Sequence, residues 1–309
     1  MSLENVDNNE EKFYTNAVNY WSEIPATIDG MLGGFGFISQ TDIKGSKMLL
    51  NQLFNSKDPP EKHYALDCGA GIGRISKFLL TETFEKVDMV EQNEDFLQQA
   101  KQYLGPKVDK IGNFYPEGLQ NFQPETGKYD VIWIQWVLGH LTNADLIQFL
   151  ISCGKGLKKN GVIVIKENVT SSDEIEKDEQ DSSITRPLRH YHTIFQKAKL
   201  ECYRQLKQQN FPKGLFPVYM FILRPSGDIL NEMSHENNLV KLENVHDNCK
   251  KDNVICETII QHDSDLKDKN ATSSDIVEFK NSTNNDENKI NIESLLKFDD
   301  SMKTSLDNQ

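Results

Sequence analysis

Glycines at 69, 71 and 73 stand in Leu66-Asp67-Cys68-Gly69-Ala70-Gly71-Ile72-Gly73-Arg74, after one apolar run and before a helical one. Glycine at alternate positions permits a sharp turn and lets a ligand reach backbone that a Cβ would cover. Twenty-two residues beyond Gly69 a second apolar run ends at Glu91, where a carboxylate can accept hydrogen bonds from two ribose hydroxyls. A strand, a glycine turn, a helix and a second strand ending in an acid together describe a nucleoside site. The spacing is G-x-G-x-G, not the G-x-G-x-x-G that seats a pyrophosphate, and this disfavours a nicotinamide oxidoreductase. Helix N-terminal amides and Arg74 could hold a carboxylate, a plain surface cation being the lesser reading of Arg74.

These residues need a scaffold. His63–Cys68, Val87–Glu91, Tyr129–Gln135 and Gly161–Lys166 read as buried parallel strands. Helices are expected at Ile72–Leu80, Asn93–Tyr103 and Asn143–Gly156. Asn93 and Thr142 supply start signals, the latter three residues before Asp145. Alternating strands and helices imply an α/β fold, a mainly parallel sheet with helices on both faces, whose ligands lie beyond the carboxyl ends of the strands. A further helix to Ala198, an extended Leu200–Leu206 and a last strand, Val218–Arg224, complete the pattern. Upstream, Glu11–Trp21 has helical spacing of Phe13, Ala17, Tyr20 and Trp21. The glycine segment Asp29–Gly36 that follows is either a lid over a site or an ordinary packed arm.

The chain of 309 residues is not uniform. From Pro225 to Gln309 it holds 18 Asp or Glu, 9 Lys or Arg and 13 Asn, with Phe279 and Phe298 the aromatic residues there. Such a stretch lacks the apolar surface to offset ordering entropy, so a structureless acidic tail is expected at 225–309, a short one at 1–10, and a folded domain at 11–224. With a net charge of −13 and no basic stripe, nucleic acid is an unsuitable partner and basic partners fit better. Five cysteines, Cys68, Cys153, Cys202, Cys249 and Cys256, are odd in number and without CxxC spacing, as in a reducing compartment. The apolar runs are too short to span a membrane, so a soluble protein of nucleus and cytoplasm is expected. The tail series His246, Cys249, Cys256, His262 is too sparse for zinc, and no metal is expected.

Three blocks are more specific. Asp67–Ile75, the run Ile132-Trp133-Ile134-Gln135-Trp136-Val137-Leu138-Gly139-His140-Leu141, and Asp29-Gly30-Met31-Leu32-Gly33-Gly34 resemble the signatures of the eukaryotic protein N-terminal methyltransferases. The resemblance covers about Phe13 to Arg224. It implies a class I, Rossmann-like methyltransferase fold: a seven-stranded sheet, extra N-terminal helices and a hairpin inserted after the strand ending near Lys166. It implies S-adenosylmethionine as cofactor, S-adenosylhomocysteine as product, and contacts at Gly69, Gly71, Arg74, Glu91, Gln92, Asn93, Leu119, Gln120 and Gln135. The implied substrates are proteins whose exposed N-terminus begins Xaa-Pro-Lys, met by a monomeric enzyme.

A free α-amine has a pKa near ~7.7–8.0, so roughly a tenth to a fifth is neutral at pH 7 and a proton acceptor is needed. His140, Asn168 and Asp181 follow the strands at the binding edge. The resemblance implies that Asp181 and His140 assist deprotonation and that Asn168 positions the amine. Read alone, His140 is as well a cap or core histidine, Asp181 one charge of a solvated run, and Trp136 a core tryptophan. A substrate lysine could pair with Asp178, Asp181 and Ser183, and its proline could stack on Trp136, with Tyr20, Trp21, Leu32 and Gly33 completing the wall. Two departures affect the substrate side: Glu167 stands where the family pattern has aspartate, and Phe216 where a tyrosine is expected. The alternatives are a methyltransferase for another amine, or an inactive cofactor-binding regulator working through its acidic tail.

Overall fold

The computed structural model describes residues 10–227 and the segments 256–259 and 278–281. The segment 1–9 and the rest of the tail, including His246, Cys249 and His262 of the sparse series, lie outside the described residues. Within the tail, β10 (Cys256–Ile259) pairs antiparallel with β11 (Glu278–Asn281).

The chain enters through α1 (Glu10–Glu23), a short α2 (Ile28–Met31) and α3 (Ser39–Phe54). Then come β1 (Tyr64–Cys68), a wide helical turn at Ser76–Leu80 running into α4 (Thr81–Thr83), β2 (Lys86–Val90), α5 (Glu94–Leu104), β3 (Ile111–Tyr115) and β4 (Tyr129–Gln135). The second half holds α6 (Asn143–Gly156), β5 (Leu157–Asn168), a hairpin of β6 (Glu176–Lys177) and β7 (Ile184–Thr185), α7 (Leu188–Lys197), β8 (Leu200–Lys207) and β9 (Val218–Pro225). Seven strands form one sheet in the order β3-β2-β1-β4-β5-β9-β8. It is parallel except at β9, which runs antiparallel to β5 and β8.

Period-two alternation divides the strands between two cores. Leu66, Ile132, Ile134, Ile163 and Phe221 point to one face, where Leu146, Phe149 and Leu150 of α6 and Ile194 and Phe195 of α7 cover them. Ala65, Val131, Trp133, Val164 and Ile222 point to the other, under Leu49, Leu50 and Leu53 of α3 and Leu97, Ala100 and Leu104 of α5. The start signals operate as chemistry requires. Asn93 accepts from the N–H groups of Asp95 and Phe96, and Thr142 from that of Asp145.

Four elements depart from the sequence pattern. The expected helix Ile72–Leu80 is present from Arg74 to Thr83, but its middle turn, Ser76–Leu80, is wound wider than an α-helix, and the Thr81 hydroxyl donates to the Ser76 carbonyl at 2.8 Å. The fourth expected strand begins four residues earlier, at Leu157. β3 and α3 were not read as elements. β3 is an edge strand with an exposed Gly112-Asn113 pair, and α3 buries Asp42 and Ser46 on its inner face, so neither shows a clean apolar period.

Candidate active site

The first cavity opens at the carboxyl ends of β1, β2 and β4. Gly69, Gly71 and Gly73 all have positive φ (67°, 53° and 81°), which places the turn where L side chains are strained. A Cβ on Gly71 would lie 2.7 Å from Met31 Sδ, and one on Gly69 would lie 2.6 Å from Val137 Cβ. Glu91 forms the opposite lip. Its Oε2 accepts the Gly71 N–H and its Oε1 the Asn93 N–H, both at 2.9 Å. Burial raises its pKa, opposed by the N–H groups of Asn93, Gly71 and Gln92. Each oxygen retains lone-pair capacity for a ribose hydroxyl.

Gly69, Gly71, Arg74, Glu91, Gln92, Leu119, Gln120 and Gln135 all line this cavity. Asn93 stands behind it: its side chain caps α5 and donates to the Trp21 carbonyl at 3.4 Å, so its part is to fix Glu91 through its backbone. Asp67, which the sequence reading passed over, also lines the cavity. Its Oδ2 accepts the Ser76 N–H and hydroxyl at 3.0 and 2.7 Å. Burial lifts its pKa to about 6 against those bonds. Asp67 and Arg74 therefore offer an acceptor and a cation at one end, as the amino-acid part of S-adenosylmethionine requires, while Glu91 offers ribose contacts at the other. The residues present fit that molecule.

A second cavity lies beside the first and shares Trp21, Met31, Leu32, Trp136 and His140 with it as a common wall. Its far side carries Asn168, Asp181, Ser183 and Glu167, with Phe211, Leu215 and Phe216 at the rim of the wall formed with Phe35. His140 Nε2 accepts from Trp21 Nε1 at 2.9 Å and lies 3.8 Å from Asp181 Oδ2. An acceptor nitrogen carries no proton, so this bond fixes the neutral ring with hydrogen on Nδ1. Burial lowers the His140 pKa, and the nearby Asp181 and Asp178 charges oppose that. The Ser183 N–H holds Asp181 Oδ1 at 2.8 Å, which leaves Oδ2 facing the histidine.

Tyr20, Gly33 and Asp178 do not line either cavity. Tyr20 packs edge-on against Trp21 and feels the charges of Asp181 and Asp178. Gly33, at φ 57°, makes the turn after Leu32. Trp136 has φ 53°, a left-handed conformation unusual for a bulky residue. Glu167 holds this segment in place, its Oε1 accepting the N–H groups of Val137 and Leu138 at 2.7 and 2.8 Å. The glycine segment is folded rather than loose: Asp29 Oδ1 accepts the Gly36 N–H at 2.9 Å, and Met31 and Leu32 serve as cover for both cavities.

Residues 9–224 match the family described as AdoMet-dependent proline di-methyltransferases. The chain belongs to this family. Among its relatives, the N-terminal Xaa-Pro-Lys N-methyltransferase 1 of Xenopus tropicalis is 47% identical over 226 residues, 72% of this chain and 100% of that protein. That of Bos taurus is 49% identical, covering 70% of this chain and 96% of its own. A SAM-dependent methyltransferase structure from Leishmania major superposes with TM-score 0.65 at 35% identity, covering 70% of this chain and 85% of the other. The protein is thus an S-adenosylmethionine-dependent methyltransferase of the class I α/β fold.

Proposed function

We propose that this methyltransferase modifies the α-amino group of proteins whose exposed N-terminus begins Xaa-Pro-Lys, acting as a monomer in nucleus and cytoplasm. The observation that carries the reading is the shared wall: an acid–base group stands in the second cavity, one side chain from the cofactor cavity. When bound, S-adenosylmethionine supplies an electrophilic methyl group on a sulfonium.

The chain's own residues prepare the nucleophile. The free Oδ2 of Asp181, with neutral His140 beside it, takes the proton that an ammonium terminus must shed. Asn168, at the end of β5, orients the amine from the opposite side. Trp136 offers a face for the second-position proline, while Asp181 and Ser183 supply acceptors for the lysine ammonium, with Asp178 outside the lining adding negative charge. Names of relatives point the same way, since the Drosophila melanogaster relative, 47% identical over 219 residues, is an alpha N-terminal protein methyltransferase.

The test is transfer of labelled methyl groups to a Ser-Pro-Lys-Arg peptide by the full chain. The free peptide is expected to be methylated, and its N-acetylated form is not, because acetylation removes the lone pair. Asn168→Lys and Asp181→Lys are expected to abolish transfer while retaining cofactor binding. Equal methylation of the blocked peptide overturns the assignment of the α-amine. Imaging of a fluorescent fusion checks the compartments, and light scattering checks the monomer.

A further inference from the structure

Behind Arg74 lies a buried polar cluster that the reaction described above leaves unused. Asp42 on α3 and Lys166 on β5 have fully buried side chains, and that of Arg74 is 6% exposed. Asp42 Oδ1 is 2.6 Å from Lys166 Nζ, and its Oδ2 is 2.7 Å from Arg74 Nη1. Gln135 Nε2 donates to both oxygens at 2.9 and 3.0 Å. Lys166 also donates to the Asp42 carbonyl, to Ser46 Oγ and to Gln208 Oε1, at 3.0, 3.0 and 2.8 Å.

Two buried cations share one carboxylate here, an arrangement that is costly unless further negative charge arrives. Burial acting alone would raise the Asp42 pKa, and the Lys166 and Arg74 charges outweigh it, so the carboxyl lies below its ordinary range. Asp67 feels Arg74 as well, but it is bonded to Ser76 and forms no ion pair with Arg74 among the described residues. Local preference was overridden to build the cluster. A Cβ on Gly45, inside α3, would stand 2.2 Å from Gln208 Oε1, so this helix carries a destabilising glycine where Gln208 reaches Lys166.

We propose that Lys166 is a positioning residue for the cofactor's carboxylate: by occupying one oxygen of Asp42, it leaves the Arg74 charge incompletely neutralised and available in the cavity. This rests on the reading of Arg74 as that carboxylate's partner. Without Lys166, Asp42 would pair with Arg74 alone and the cation would be spent inside the protein. Lys166 lines neither cavity, so any effect on the ligand passes through Asp42 and Arg74.

The test is calorimetric binding of S-adenosylhomocysteine and of its decarboxylated counterpart, which keeps the amine, to the full-length protein and to Lys166→Met. The wild type is expected to favour the carboxylate-bearing ligand. Lys166→Met is expected to weaken that ligand about tenfold, the size of one weakened charge-assisted hydrogen bond, and the decarboxylated ligand less than about twofold. Because the variant leaves Gln208 Oε1 unpaired, a Lys166→Met/Gln208→Leu double variant is measured beside it, with thermal melting to verify folding. Equal weakening of both ligands, or of neither, overturns the proposal. A wild type that binds both ligands equally removes the Arg74 reading instead, and one that binds neither removes the cofactor site itself.

Discussion

Replacing Glu167 with glutamine should flatten the pH dependence of stability. The carboxyl is buried at the wall of the second cavity, and burial lifts its pKa from an ordinary 4.5 to about 7, against the opposing N–H groups of Leu138 and Val137. A carboxyl whose folded pKa exceeds its unfolded value makes its full contribution below about pH 4.5 and loses it as the pH rises through about 7. At ~1.4 kcal/mol per pKa unit, the loss approaches about 3 kcal/mol by pH 8. Glutamine keeps an oxygen for the Val137 and Leu138 N–H groups but does not ionise. The variant should match the wild type within about 1 kcal/mol at pH 5 and exceed it by about 3 kcal/mol at pH 8. Urea unfolding followed by tryptophan fluorescence from pH 5 to 8.5 measures this. Asp67, whose pKa is about 6, titrates in both proteins and cancels in the difference. A difference that stays constant across the range refutes the assignment of the titration to Glu167.

Two further outcomes follow from the geometry. Trp21→Phe removes the donor to His140 Nε2, so the ring should protonate more readily and the acid limb of kcat/KM should move toward neutrality by somewhat less than one pH unit, about the size of one hydrogen bond; a stationary limb excludes His140 as the group observed. Gly71→Ala places a Cβ 2.7 Å from Met31 Sδ at φ 53° and should weaken S-adenosylhomocysteine at least about tenfold by calorimetry, against the idea of an unchanged dissociation constant.

The parts of the cofactor site that were legible in the sequence are those made by local chain. Gly69 to Glu91 is one strand–turn–helix–strand unit, so motif spacing already carries its geometry, and α6 begins and ends where Thr142 and the apolar period place it. The substrate side was legible through resemblance more than through pattern, because Trp21, Trp136, His140, Asn168 and Asp181 meet across distant segments. Asp42 was not legible at all. A carboxylate on a helix of mixed polarity reads as a surface charge until β5 brings Lys166 against it, with Gln208, just past β8, bonded to that lysine. Asn93 serves the fold and the cavity at once, since its side chain caps α5 while its backbone N–H holds Glu91.

The first helix has a consequence for how the enzyme comes into being. Tyr14 reaches Asp145, Asn16 reaches Ser182 at 2.9 Å and Trp21 reaches His140 at 2.9 Å, across 131, 166 and 119 positions of chain. Because these partners lie so far downstream, the helix cannot make its contacts until Ser182 has been synthesised. A nascent chain that has already made the glycine turn still lacks the wall shared by the two cavities, because Trp21 meets His140 only when this helix docks.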